Sequence, residues 1–134
     1  MATKWGSVPI ITLLTDFGLQ DEYVGVMKGA ILSKHPQAII VDLTHQISPH
    51  RVIEAAHILE ASYRYFPKGT IHTIVVDPGV GTDRKIIVLG KDDHMFIAPD
   101  NGVLSMILAA GGIEFIVRVE NDDFFLKPVS ETYA

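Results

Sequence analysis

Hydrophobic and polar positions divide the chain into short apolar runs, each followed by a polar turn and a stretch with helical periodicity. Residues 10–14 form the first apolar run, which stops at the polar segment 15–18. Residues 23–34 then carry apolar side chains at helical spacing, and Pro36 ends this stretch. The order predicts a strand, a loop and a helix.

The same pattern recurs along the rest of the chain. A β-rich run over residues 38–43 is followed by a helical stripe over 52–63, and a third apolar run over 71–76 ends at Asp77. Three further short strands are predicted at residues 85–89, 95–98 and 115–119. A third helix is predicted at residues 103–110, where the two glycines that follow end it.

The alternation of strands and helices predicts the fold class. Apolar runs that do not alternate with polar residues are typical of parallel strands that helices cover on both faces. We therefore expect an α/β fold, a Rossmann-like three-layer domain with a mainly parallel central sheet and helices on both faces. A chain of 134 residues with 48% hydrophobic content agrees with a single such domain over residues 1–134.

Composition and charge narrow the classes of function. The lack of cysteine excludes disulfides, thiolate nucleophiles and Cys-containing metal sites. A formal net charge of −5, with Lys and Arg that form no run, argues against binding to nucleic acid. No apolar run approaches the roughly 20 residues of a membrane span. We expect a cytoplasmic protein with neither nucleic acid nor a membrane as its partner.

Aspartates follow the first three predicted strands. Asp16, Asp42 and Asp77 each stand at the carboxyl end of an apolar run, and ligands of open α/β sheets bind beyond these strand ends. Carboxylates that converge on one edge of the sheet predict a binding site. Asp16 can accept hydrogen bonds from both hydroxyls of a ribose, or it can cap the following helix.

The segment DPGVGTDR at residues 77–84 carries the most chemical information. Its two glycines let backbone N–H groups approach a ligand, and Arg84 can fold back towards Asp77. This pair either orients a water molecule or forms a structural ion pair that pins the loop. Asn101, before the third predicted helix, either caps that helix or binds a polar group of a ligand.

Other kinds of catalytic site have less support. The six histidines lack the spacing of metal ligands, no Gly-Lys-Ser/Thr follows the glycine-rich loop, and no GxSxG motif is present. We expect no metal and no cofactor. A metal-dependent phosphohydrolase that holds Mg²⁺ at its Asp-rich strand ends remains as an alternative.

Four separated motifs carry a family resemblance. They are TDFGLQDEYVGVMKG at residues 15–29, VDLTHQI at 41–47, VVDPGVGTDR at 75–84 and APDNG at 98–102. In these motifs, and in their order, the chain resembles the S-adenosyl-L-methionine (SAM) hydroxide adenosyltransferases, or SAM hydrolases, relatives of the fluorinating and chlorinating enzymes. The resemblance implies that residues 1–134 are the N-terminal α/β domain of such a protein, with a smaller β-rich domain normally following.

The resemblance also implies a reaction and an assembly. Water or hydroxide attacks the ribose 5′ carbon of SAM and releases adenosine and L-methionine, with SAM bound between the subunits of a homotrimer. In this family pattern Asp16 holds the ribose hydroxyls, and Phe17, His50 and Asn101 lie near the substrate.

The same family pattern implies which residues take part in the chemical step. Asp77 and Arg84 are implied to be two members of an Asp–Arg–His triad that prepares the attacking water. The family's triad histidine follows the stretch that matches residues 130–133, so its place lies beyond Ala134, and none of the histidines present replaces it. We therefore expect the 134-residue polypeptide by itself to be poorly active. A non-catalytic domain that binds adenosine or SAM, or that only assembles, is the alternative.

Overall fold

Strands and helices alternate in the order that the apolar pattern predicts. The computed structural model describes residues 9–77 and 85–119, and in this part of the chain each predicted strand and helix is present, with bounds that differ by no more than two residues. In chain order the elements are β1 (Ile10–Thr15), α1 (Tyr23–Lys34), β2 (Ile39–Thr44), α2 (Val52–Ser62), β3 (Ile71–Val75), β4 (Ile86–Lys91), β5 (His94–Pro99), α3 (Ser105–Ala109) and β6 (Ile113–Val119). No helix among these residues is long and apolar enough to cross a bilayer.

The strands form one mixed sheet in the order β2-β1-β3-β5-β4-β6. β1 pairs in parallel with β2 and β3, and β3 pairs in parallel with β5. β4 is antiparallel to both of its neighbours, β5 and β6. The α/β class is thus confirmed, whereas the prediction of a mainly parallel sheet holds only in part.

A tight turn explains the reversed strand. Asp92 and Asp93 join β4 to β5 with φ angles of 54° and 62°, and positive φ at both central residues is the requirement of a type I′ hairpin turn. The usual signal for this turn is Asn-Gly or Asp-Gly. The sequence Asp-Asp does not carry that signal, so β4 and β5 were predicted as separate strands without the hairpin that joins them.

One face of the sheet packs against α2 and α3. Leu14, Ile74 and Phe96 project from β1, β3 and β5 into an apolar cluster with Leu59 of α2 and Ile107 of α3. All five side chains are at most 2% exposed. Burial of each of them contributes roughly 1.5–3 kcal/mol relative to exposure, so this cluster anchors the central strands.

The opposite face of the sheet meets α1. Leu13, which is fully buried, is the register partner of Asp42 in β2, and register partners point to the same face of a sheet. The Nζ atom of Lys28 in α1 lies 2.8 Å from Oδ2 of Asp42. α1 is therefore tied to this face by an ion pair as well as by its one buried side chain, Val24.

Candidate functional site

The ends of β1 and β3 lie side by side at one edge of the sheet. The two strands are parallel neighbours, with Thr15 opposite Val75 in register. Asp16 follows directly after Thr15, and Asp77 stands two residues after Val75. Asp77 is buried, at 9% exposure, and Asp16 is half-buried. The two acids that were predicted to face one cavity thus leave neighbouring strands at the same edge.

Asp16 is oriented by the segment that precedes α2. Its Oδ2 atom accepts a hydrogen bond of 2.9 Å from the backbone N–H of His50. His50 has a φ of 63°, a left-handed conformation that is uncommon for residues other than glycine. Within the described residues, Oδ1 of Asp16 takes part in no hydrogen bond, so one carboxylate oxygen is fixed and the other is free to accept.

Asp16 does not cap the helix that follows it, so that alternative is wrong. The backbone N–H of Tyr23, the first residue of α1, donates instead to Oδ1 of Asp21 at 3.1 Å. The Asp16 carboxylate is therefore not engaged at a helix N-terminus.

A hydrogen-bonded chain of side chains lies beneath Asp16. Oγ1 of Thr15 is 2.7 Å from Nδ1 of His45, and Nε2 of His45 is 2.7 Å from Oδ1 of Asp42. His45 is only 3% exposed. Burial alone would raise the pKa of Asp42, but its hydrogen bonds with Lys28 and His45 outweigh burial and hold that pKa below its ordinary value. Asp42 therefore carries a negative charge at neutral pH.

The hydrogen bonds of Asp42 show that its expected position at the strand ends is wrong. The strand-end interpretation placed its carboxylate on the same edge as Asp16 and Asp77, but β2 continues to Thr44, and both oxygens of Asp42 are held by Lys28 and His45. Of the three acids in that interpretation, Asp16 and Asp77 leave the sheet at this edge and Asp42 does not. His45 was not predicted as a site residue, although it stands within the motif VDLTHQI, three residues after Asp42.

Asn101 secures the end of β3. Its Nδ2 donates to the carbonyl of Val76 at 2.7 Å, and its Oδ1 accepts the backbone N–H of Val103 at 3.1 Å. The second bond closes the turn that precedes α3, but it does not cap that helix, whose N-cap residue is Leu104, so the capping alternative for Asn101 is wrong. The first bond ties that turn to the residue directly before Asp77.

Phe17 forms an aromatic rim next to Asp16. Its ring centroid lies 5.8 Å from that of Tyr23, with the two planes at 53°. The backbone N–H of Phe17 donates to Oγ1 of Thr15 at 3.2 Å. Leu19, two residues further on, is 61% exposed. The carboxylate therefore stands beside a surface with apolar and aromatic character.

The second half of the predicted catalytic pair lies outside the described residues. Arg84 belongs to the segment 78–84, of which the structure gives no description, so its pairing with Asp77 stays a prediction. Residues 9–77 and 85–119 contain no group of three or more His, Asp or Glu side chains arranged to hold a metal ion.

Comparison with known proteins identifies relatives of this chain. An (R)-S-adenosyl-L-methionine hydrolase from Methanocaldococcus jannaschii is 38% identical over 126 residues, which cover 90% of this chain and 47% of the relative. A fluorinase from Nocardia brasiliensis is 29% identical over 135 residues, covering 84% of this chain and 45% of the fluorinase. A crystal structure described as an uncharacterized conserved protein from Thermotoga maritima superposes with a TM-score of 0.85 at 44% identity, covering 91% of this chain and 48% of that one.

These matches agree with the resemblance that the four motifs carry. The chain spans about half the length of the curated relatives it matches. The family described as the SAM hydroxide adenosyltransferase N-terminal domain matches residues 11–134, and the chain belongs to this family.

Proposed function

We propose that the protein hydrolyses SAM to adenosine and L-methionine by attack of water or hydroxide on the ribose 5′ carbon. The observation that carries this proposal is the position of Asp16 and Asp77 at the ends of neighbouring parallel strands. The 38% identity to a protein named (R)-S-adenosyl-L-methionine hydrolase supports the choice of substrate.

Asp16 is the proposed ribose-binding group. Its Oδ2 is held by the N–H of His50, so its Oδ1 is left to accept from the sugar hydroxyls. Hydrogen bonds to an ionised carboxylate are roughly twice as strong as bonds between neutral groups. The Phe17 ring and the turns around His50 and Asn101 form the proposed walls of the substrate site.

The chemical step needs a positioned water more than a strong base. The sulfonium of SAM is a good leaving group, so in-line attack at the 5′ carbon forms a C–O bond, breaks the C–S bond and releases methionine as a neutral thioether. Arg84 is proposed to stabilise the negative charge on the attacking oxygen. Asp77 either orients Arg84 or accepts the proton that water loses. This water-handling pair favours hydrolysis over the halide chemistry of fluorinases.

A homotrimeric assembly and a three-layer Rossmann-like arrangement of the domain are also proposed. The apolar side chains Val26, Leu32 and Ile39 are exposed on α1 and β2, which supports a homotrimer that covers this surface. Burial of β1 from Ile11 to Thr15, with α1 tied to one face and α2 packed on the other, supports the three-layer Rossmann-like arrangement. A cytoplasmic location stays a prediction from the sequence.

Product analysis tests the reaction. The complete product of the gene that encodes this sequence, incubated with SAM in water labelled with heavy oxygen, is expected to yield adenosine and methionine in equal amounts. The label is expected in the 5′ hydroxyl of adenosine, and addition of EDTA is expected to leave the rate unchanged. Adenosine without the label, or a rate that chelation abolishes, would rule out the proposed reaction.

A further inference from the structure

His45 holds the loop that carries Asp16 at two separate points. Its Nδ1 is 2.7 Å from Oγ1 of Thr15, at the start of this loop. Its backbone carbonyl accepts the N–H of Gly18 at 2.7 Å, at the end of the loop. Gly18 has a φ of 75°, where the chain turns away from the sheet. Residues 15–18, here termed the β1-end loop, are thus fixed on both sides of Asp16 by one buried residue.

The partners of His45 assign its tautomer. Asp42 is ionised and can only accept, and its other oxygen receives the Lys28 ammonium, so Nε2 of His45 must carry the proton that bonds Asp42. In the neutral ring Nδ1 is then a bare acceptor, and the hydroxyl proton of Thr15 points at it.

Oγ1 of Thr15, which donates its proton to His45, can still accept a hydrogen bond from the backbone of the β1-end loop. The N–H of Phe17 donates this bond at 3.2 Å. Donors therefore run in one direction, from Phe17 through Thr15 to His45 and on to Asp42, and each bond polarises the next. Protonation or loss of the Nδ1 acceptor would reverse or open the chain at Thr15.

We propose that His45 is a positioning residue for the substrate site, which fixes the backbone from which Asp16 reaches the ribose. The identity of that ligand rests on the proposed function. Asp42 acts at one remove, because it selects the tautomer of His45. The proposal explains why a buried histidine, instead of an apolar residue, stands behind the β1-end loop.

Two substitutions separate positioning from simple filling of space. In His45→Asn the amide oxygen can take the place of Nδ1 and still accept from Thr15. In His45→Gln the longer side chain places its polar atoms near the position of Nε2, towards Asp42, and leaves Thr15 without an acceptor. A space-filling or ion-pairing role predicts that Gln is the better substitute, whereas the positioning role predicts that Asn is.

The kinetic readout uses the complete gene product with SAM. His45→Gln is expected to raise KM about tenfold, the effect of losing a single hydrogen bond of about 1.4 kcal/mol, with a much smaller change in kcat. His45→Asn is expected to recover most of the loss. His57→Gln, the same change at an exposed histidine of α2, serves as the matched control. Equal KM values for the Asn and Gln variants, or a lower KM for Gln, would overturn the proposal.

A second readout does not depend on the substrate. Amide hydrogen exchange at Phe17 reports the bond to Thr15, and we expect at least tenfold faster exchange in His45→Gln and in Thr15→Val, but not in His45→Asn or Thr15→Ser. If the wild-type protein fails to cleave SAM while these exchange rates follow the expected order, the proposed function fails and the positioning role stands. If Phe17 exchanges equally fast in all five proteins, His45 does not position the loop, whatever the substrate is.

Discussion

Asp16 and Asp77 follow neighbouring strands at the same edge of the sheet, but their surroundings differ. Asp16 is half-buried and has one oxygen fixed by the His50 N–H, an arrangement suited to a hydrogen bond with a ligand. Asp77 is buried and stands beside the backbone that Asn101 ties down. Binding and chemistry are therefore expected to respond differently when each carboxylate is replaced by its amide.

Asp16→Asn is expected to weaken adenosine binding by tenfold to a hundredfold. The neutral amide loses a charged hydrogen bond of about 1.5–3 kcal/mol, and it must turn its oxygen to the His50 N–H, which leaves an NH₂ donor facing the ribose. Isothermal titration calorimetry with adenosine measures the change. Asp21→Asn is the control, because the amide oxygen at this exposed site can still accept from Tyr23. Unchanged affinity in Asp16→Asn would remove Asp16 from the sugar site.

Asp77→Asn is expected to lower kcat and kcat/KM for SAM together, by roughly 10²–10⁴, with little effect on adenosine affinity. A group that handles the attacking water acts in the transition state and not in ground-state binding. Steady-state kinetics on the complete gene product, paired with adenosine titration, measure both effects, and Arg84→Ala is expected to follow the same pattern. A rise in KM alone for Asp77→Asn would assign this residue to binding instead.

At the residue scale the sequence predicted what depends on position along a strand, and missed what depends on the pairing of strands. Asp16 could be predicted because it follows an apolar run and because parallel strands end at a common edge. The role of His45 depends on how far β2 extends and on which residues of β1 lie next to it, and neither is encoded locally. For the same reason, the prediction wrongly placed Asp42 at the edge that Asp16 and Asp77 share.

At the scale of elements, the hairpin between β4 and β5 shows the limit of pattern reasoning. Periodicity located both strands, but the direction of β4 is decided by two left-handed residues whose identity, Asp-Asp, does not reveal their conformation. The two aspartates also differ in what they hold. Asp92 accepts the Tyr63 hydroxyl at 2.8 Å, and burial together with this carboxylate raises the pKa of Tyr63 to about 12. Asp93 lies 3.7 Å from the exposed Lys68 ammonium.

Asp93→Gly is expected to raise the free energy of unfolding by about 0.5–1 kcal/mol. Glycine adopts a positive φ without the strain that a side chain brings, and Asp-Gly is a favoured pair for this turn. The ion pair with Lys68, whose ammonium is largely exposed, contributes little to stability. Urea denaturation followed by circular dichroism measures the change. Asp92→Gly is the matched variant at the other central position and should destabilise, because it removes the bond to Tyr63. Stabilisation by both glycines, or by neither, would contradict this description of the turn.

At the scale of the whole molecule, the edge that carries Asp16 and Asp77 is distinct from the buried interior in which His72 and His94 lie next to each other. Nδ1 of His72 is 2.7 Å from Oγ1 of Thr12, and Nε2 of His72 is 3.1 Å from Nδ1 of His94. Burial, with a smaller contribution from the charge of His94, lowers the pKa of His72 to about 3. Burial also lowers the pKa of His94.

The fold is therefore expected to lose stability in acid. The pKa of His72 in the folded protein lies below its value of about 6.5 in the unfolded chain. The contribution of the neutral His72 to the free energy of unfolding is therefore fully present above about pH 6.5, and it declines as the pH falls towards about 3. The loss is about 1.4 kcal/mol per pH unit for one such group.

Urea denaturation at pH 7.5 and at pH 5, as chosen conditions, tests this linkage. His72→Gln should be less stable at the higher pH but should show a smaller fall between the two, because glutamine does not titrate, while the exposed-site variant His57→Gln should keep the wild-type fall. An undiminished fall in His72→Gln would assign the acid sensitivity to other groups.

The features of the whole molecule that could be predicted are those that depend on burial, because a buried strand is apolar in sequence. The apolar run of β1 predicted a strand covered on both faces, and burial from Ile11 to Thr15 agrees with it. The strand order and the mixed direction of the sheet arise from contacts between distant segments, such as Thr15 with Val75, which no local pattern specifies.

A crystal structure of the complete gene product with adenosine bound is the most direct test of the site at the ends of β1 and β3. We predict that both ribose hydroxyls lie within hydrogen-bonding distance of the Asp16 carboxylate and that the 5′ carbon faces Asp77. Adenosine bound at another surface, or with its ribose turned away from Asp16, would contradict the proposed site.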